Sequence, residues 1–298
     1  MSGWDGERYR RVNTLQQWLA GRALDDVHLV GVRSLLDVGC GDGQITRSLA
    51  AQIPGARCVG IDPSPGMIAV APTSDGVVFE VGAAETMTFD DEFDLVVSFN
   101  ALHWVLDQHR ALGAIAVAMR DGGRAVLVLV CDGPRPSLED VAMTVASSRR
   151  WSSSFTRFSA PFIHPDPEQW QRDVELVGLQ VSDLRVDDLE WDFGSRDAFA
   201  AWCAVGFGGW TGDLSVQDGR EFVEDVVDAY AAEAGSGAYK GSGLTSKAAT
   251  VKSAGTGNAE LAVSDSLDVD IIGSGTVTYT GSPQVKQSII GSGSLQKK

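Results

Sequence analysis

Residues Leu35–Thr46 read LLDVGCGDGQIT, an apolar run that closes on an acid and then sets glycines at positions 39, 41 and 43. A short apolar run ahead of glycine predicts a buried strand, and the following QITRSLAAQI predicts a helix. Glycine at such a strand-to-helix turn supplies positive φ, and its missing Cβ lets a ligand come close to the backbone. The helix start behind it offers unpaired N–H groups.

The same alternation extends outward from this stretch. A first helix is predicted over Asp5–Leu24, with Val12, Leu15 and Leu19 on one face. Further strands are predicted at CVGID, VVFEVG, FDLVVSF and RAVLVLV, with a short helical segment from Ser64. A helix at QHRALGAIAVAMR is expected to stop at Asp121-Gly122-Gly123. Strands this apolar, separated by helices, predict a Rossmann-like doubly wound, mostly parallel α/β sheet with helices on both faces. The segment from Asp132 to His164 breaks the rhythm with SSRRWSSSFTRFSAPF, and an insertion after a strand of this architecture builds or covers a pocket. A capped helix at DPEQWQRDVELVGL, a sixth strand at LQVSDLRVDDLEW and helices at SRDAFAAWCAV and QDGREFVEDVVDAYAAEA follow.

From about Ala238 the composition changes to Gly, Ser, Thr and Val. Gly-x-Gly pairs begin at Gly255, Gly273 and Gly291, a spacing of 18 residues (273 − 255 and 291 − 273). Short β-forming runs between Gly-Ser turns at a fixed period predict a short β-solenoid. Two domains are therefore expected, residues 1–238 and 239–298.

The chain of 298 residues is 44% hydrophobic and 21% charged, enough for a sizeable core. A net charge of −16 repels phosphate backbones and argues against a nucleic-acid partner. Cys40, Cys58, Cys131 and Cys203 lie far apart without a CxxC pair, which fits reduced thiols rather than a disulfide framework or a metal site. With no signal-peptide core and no membrane-length apolar run, a cytoplasmic protein without a membrane partner is expected.

Turn chemistry like that of residues 35–46 serves NAD, FAD, a nucleotide or S-adenosylmethionine. A dinucleotide fingerprint spaces its glycines G-x-G-x-x-G to cradle a pyrophosphate. Here the spacing is G-x-G-x-G between Asp37 and Asp42, and two carboxylates suit an ammonium and a sulfonium better than a pyrophosphate. Asp62 ends the next strand 19 residues past Gly43, where an acid can accept ribose hydroxyls.

Together, DVGCGDG, GIDPSPGMI and FDLVVSFNALHWV resemble three motifs of the class I S-adenosylmethionine-dependent methyltransferases, the last one in the branch that contains trans-aconitate 2-methyltransferase. The resemblance covers roughly Trp4–Ala234. It implies S-adenosylmethionine as cofactor, with Asp37, Gly39, Gly41, Asp42 and Gly43 around it, Asp62 on the ribose, and Pro63, Met67, Ala83, Ala84, Ser98 and Asn100 completing its surroundings. His103 and Trp104 would face a small-molecule methyl acceptor, with His103 the candidate for a chemical role. The competing reading of this pair is core packing under the insertion. His28, His109 and His164 read as surface or structural, and Arg149, Arg150 and Arg157 as either carboxylate partners or solvated loop charges.

Two departures accompany the resemblance. Ala83 stands where the family usually has an acid near the adenine, and no seventh antiparallel strand follows the last helix. The tail instead resembles the head-GIN adhesin-like β-solenoid family, so a fusion with its junction near Tyr239 is expected. Carboxyl O-methylation of a small organic acid is the favoured reaction, because a carboxylate needs no general base. O- or C-methylation of a natural product is the enzymatic alternative, and a non-catalytic β-solenoid fusion with an incomplete sheet is the other. A monomer is slightly favoured.

Overall fold

A computed structural model describes residues 4–24, 27–72, 76–133, 135–187, 189, 191–193, 195–235, 238–255 and 258–298. They form two compact units, Met1–Val223 and Glu224–Lys298.

In the first unit, α1 (Gly6–Arg10) and α2 (Thr14–Leu24) precede β1 (Ser34–Val38), α3 (Gln44–Gln52), β2 (Arg57–Asp62), α4 (Pro65–Ile68) and β3 (Val77–Val81). Then come β4 (Phe93–Phe99), a 3-10 turn (Leu102–Trp104), α5 (Gln108–Ala118) and β5 (Met119–Val128). The strands form one parallel sheet in the order β3-β2-β1-β4-β5. The order reverses between β1 and β4, and ligands of such sheets bind at the carboxyl ends beside that switch.

Both faces of β1 are covered because successive side chains point to opposite sides. Leu35 joins Ala20 of α2 and Leu49 of α3 on one face, and Leu36 joins Leu112 and Ile115 of α5 on the other. Five of these side chains, Leu35, Leu36, Leu49, Leu112 and Ile115, are fully buried, and each contributes about 1.5–3 kcal/mol by its removal from water.

The insertion carries α6 (Leu138–Ala146), and α7 (Pro167–Leu176), α8 (Arg196–Gly206), α9 (Gly208–Thr211) and α10 (Val216–Gly235) follow. Asp166 caps α7 by accepting from the Gln169 N–H, with Pro167 at the first helical position.

Three expectations change, and the insertion, whose conformation the sequence left open, gains a helix. The first helix is two helices, because Asp5 caps α1 and a turn at residues 11–13 separates it from α2. α5 ends at Ala118 and Met119 is already extended, so Asp121-Gly122-Gly123 lies inside β5, where the register against β4 shifts. The insertion contains a helix, started by a capping box between Ser137 and Asp140. The sixth strand is not formed among the described residues of 179–191. There Leu179 and Val181 pack on the core, but Leu184 and Val186 are exposed and Arg185 pairs locally with Asp183. Acidic residues disfavour strands, and this stretch has no second apolar face to bury.

The second unit holds β6 (Ala238–Gly255), β7 (Asn258–Gly273), β8 (Thr276–Thr280), β9 (Gln284–Gly291) and β10 (Ser294–Lys297). All their pairings are parallel without helical crossovers, as in a solenoid. The register repeats the 18-residue period, since Leu261 faces Tyr279 and Val269 faces Gln287. Val263, Leu267, Val269, Ile271 and Val277 fill its interior.

Candidate methyltransferase site

The backbone of the glycine turn is bent where the sequence placed glycines. Gly39, Gly41 and Gly43 have φ of 77°, 56° and 73°. A Cβ on Gly39 would stand 2.1 Å from the Ala101 Cβ, so β1 and the segment after β4 approach as closely as they do only because residue 39 has none. The Gly39 and Cys40 N–H groups donate to the Ile61 carbonyl, which ties the turn to the end of β2.

Three acids converge on this turn. Asp62 accepts from the Gly41 N–H at 3.0 Å through one oxygen and from the Ser64 N–H at 2.8 Å through the other. Burial pushes its carboxyl pKa up, against the pull of those two N–H groups. Asp37, at the end of β1, is buried and accepts from the Thr46 hydroxyl at 2.6 Å. Burial, with the Asp62 charge adding to it, pushes Asp37 up to about 7 although the Thr46 bond opposes the rise. Asp42 faces the N-terminal segment instead. It takes the Gln44 amide at 2.6 Å and the Asn13 amide at 3.3 Å, and Arg10 lies 3.5 Å away.

Residues 4–17 thus close over the turn, which the sequence did not reveal. Tyr9 lies against Gly41, and burial, then Asp42, Asp62 and Asp37, pushes its phenol pKa up. Arg10 also donates to the Val70 carbonyl, and Gln17 donates to Gln44 at 3.0 Å. A periodic pattern alone gives these polar residues no partner.

The remaining expected residues divide. Met67 is buried in α4, whereas Pro63 beside it is exposed. Ala84 is in the core and Ala83 is half-buried. The Ser98 hydroxyl donates to the Val38 carbonyl at 2.7 Å and locks β4 to β1. Asn100 follows β4 with φ 52°, and its N–H donates to the Val128 carbonyl.

His103 is buried, and its Nδ1 accepts from the Val130 N–H at 3.4 Å. That contact leaves the proton of the neutral ring on Nε2. Burial, helped by the neighbouring His164, pushes its pKa down to about 3. Trp104 sits among aromatic rings, 5.9 Å from Trp4, 6.4 Å from Phe162 and 6.3 Å from Trp210 between centroids. His164 is brought next to His103, at 5.9 Å, rather than to the surface. His109 is exposed. Of the insertion's cations, Arg150 pairs with Glu221 and stacks on Trp151, which is itself buried against Phe222.

Three carboxylates thus lie around the turn, with the Asp62 charge acting on Asp37, and among the described residues one ion pair reaches them, from Arg10 to Asp42. This surplus of buried negative charge suits a ligand carrying positive charge and opposes a pyrophosphate. Residues 36–127 match the family model described as a methyltransferase domain. That stretch of the chain is a methyltransferase domain.

Residues 225–283 match the head GIN domain model of auto-transporter adhesins. Juvenile hormone acid O-methyltransferase of Bombyx mori is 28% identical over 212 residues, 65% of this chain and 75% of that protein. Trans-aconitate 2-methyltransferase of Methylobacterium nodulans is 31% identical over 124 residues, 41% of this chain and 48% of that protein, so the match spans about half of that relative. The fold matches the YcgJ protein of Bacillus subtilis with a TM-score of 0.51 and 20% identity, covering 72% of this chain and 83% of that one. The methyltransferase domain agrees with the reading of the sequence motifs. Among the described residues, no helix is long and apolar enough to cross a membrane.

Proposed function

We propose that this methyltransferase transfers a methyl group to a carboxylate of a small organic acid. The observation that carries the reading is the state of His103, the imidazole beside the mouth. Its Nδ1 is occupied by the Val130 N–H and its pKa is about 3, so it is a poor base at neutral pH. An alcohol acceptor would need a base, whereas a carboxylate is already a nucleophile. Two relatives, by their names, methylate acids.

S-adenosylmethionine supplies the electrophilic methyl group on its sulfonium. The chain's part is to hold and orient, which in well-aligned cases is worth about 7–11 kcal/mol. In this reading Asp62 takes the ribose hydroxyls, and Pro63, Met67, Ala83 and Ala84 border the adenine. Gly39, Gly41 and Gly43 admit the methionine portion, with Asp37 near its ammonium and Ser98 and Asn100 shaping the end of β4. Asp42 acts by fastening residues 10–17 over the turn. His103 donates from Nε2 to the acceptor carboxylate and Trp104 excludes water.

We further place the domain division after residue 238, near Tyr239, and the protein in the cytoplasm as a monomer. All four cysteines are free, which supports a reducing compartment. Incubation with labelled cofactor and a panel of carboxylic acids and phenols tests the reaction. Labelled methyl esters are expected; transfer confined to phenols would refute the carboxylate reading.

A further inference from the structure

Three side-chain nitrogens among the described residues are buried with no hydrogen-bond partner: Nδ1 and Nε2 of His164 and Nε1 of Trp210. They share one aromatic cluster with the mouth of the site. The Phe162 ring lies 4.5 Å from His164 and 5.9 Å from Trp210 between centroids. His103 is 5.9 Å from His164, and Trp104 is 6.3 Å from Trp210. Such enclosed, partnerless polar atoms are uncommon, because burial forfeits their bonds to water.

The acids flanking His164 stand beyond hydrogen-bond distance, although the pull of Asp140 and Asp132 works against the burial that lowers its pKa. Glu139 Oε2 stands 3.9 Å from Nε2 and Asp140 Oδ2 stands 3.8 Å from Nδ1, both beyond hydrogen-bond reach. An indole N–H can only donate, so the partner of Trp210 must be an accepting atom. Neutral imidazole likewise has one N–H to give. The glycine turn is on the cofactor side, so these donors are left for the other reactant.

We propose that His164 and Trp210 set acceptor specificity by binding a second carboxyl or carbonyl group of the methyl acceptor, one that is not itself methylated. The inference rests on the carboxyl-methyltransferase reading and narrows its substrate class to organic acids with a further oxygen function. Trp210 donates its N–H to that oxygen, and His164 supplies the neighbouring N–H.

The test is a calorimetric titration of the full chain, saturated with S-adenosylhomocysteine, with trans-aconitate and with crotonate. Crotonate keeps one carboxylate and the double bond but lacks the further groups. The wild type is expected to bind trans-aconitate at least tenfold more tightly than crotonate. Trp210→Phe and His164→Gln should each cut that preference at least fivefold and leave the S-adenosylhomocysteine affinity within twofold. Trp210→Phe keeps an aromatic ring and deletes the N–H, so an unchanged cofactor affinity separates a lost contact from a lost fold. Equal binding of the two acids, binding of neither, or an undiminished preference in both variants would overturn the inference. A wild type that fails to bind S-adenosylhomocysteine would strike the cofactor assignments instead. Transfer confined to phenols would strike the carboxylate reading.

Discussion

Asp37 carries a carboxyl far from its ordinary behaviour in water. Its carboxyl titrates near 7 in the fold, against 3.8 for the free side chain. A folded pKa above the unfolded one means that the folded state binds more protons between those values. The contribution of Asp37 is therefore fully present below about pH 4 and is lost as the pH rises through about 7. Thermal melts of the free protein should show this loss, and Asp37→Asn should flatten it. The ammonium of S-adenosylhomocysteine favours the ionised form, so that ligand should bind more tightly at pH 8 than at pH 6 in the wild type, with little difference in Asp37→Asn. His103 offers an opposite case. With its pKa near 3 it changes no charge over the working range, and kcat/KM should show no His103 titration between about pH 5 and 8. His103→Asn keeps an oxygen able to accept from the Val130 N–H. Its rate should fall less than tenfold, whereas removal of a true general base costs about 10²–10⁴-fold.

Among the elements, the turn from β1 to α3 is the most constrained. Gly39→Ala would force a Cβ-bearing residue to φ 77° and drive it into Ala101. The left-handed conformation alone costs roughly 1–2 kcal/mol, and a domain of this size loses about 2–4 °C per kcal/mol. With the clash added, differential scanning calorimetry should register a fall of at least about 5 °C. This turn and the five parallel strands were legible because their signals are local: apolar runs, glycines at fixed offsets and an acid at a strand end. The helix α6 had an equally local signal in its Ser137–Asp140 capping box, but the polar SSRRWSSSFTRF beside it drew the reading towards loop. The stretch at 179–191 misled for the converse reason. Its alternation suits a strand, but strand formation also depends on a partner edge and a buried face, and neither is a property of the stretch itself. The contacts of Tyr9, Arg10 and Asn13 with the turn, and of His164 with His103, join residues far apart in sequence and left no periodic trace.

For the molecule as a whole, the proposed division after residue 238 predicts that each part can fail alone. Val269 is fully buried in the solenoid interior, and an aspartate there would leave a charge without a partner. In Val269→Asp, limited proteolysis should remove the tail and leave a fragment ending near residue 238 with unchanged affinity for S-adenosylhomocysteine. Loss of that affinity together with the tail would refute the division. The acidic composition belongs to this scale too: a net charge of −16 says little about fold, yet it accords with a site that gathers carboxylates around a cationic cofactor. The most direct test of the cofactor assignment is a calorimetric titration of the full chain and of Asp62→Ala with S-adenosylhomocysteine. Micromolar binding by the wild type and at least tenfold weaker binding by the variant are predicted. A folded wild type that does not bind, or a variant that binds equally well, would contradict it.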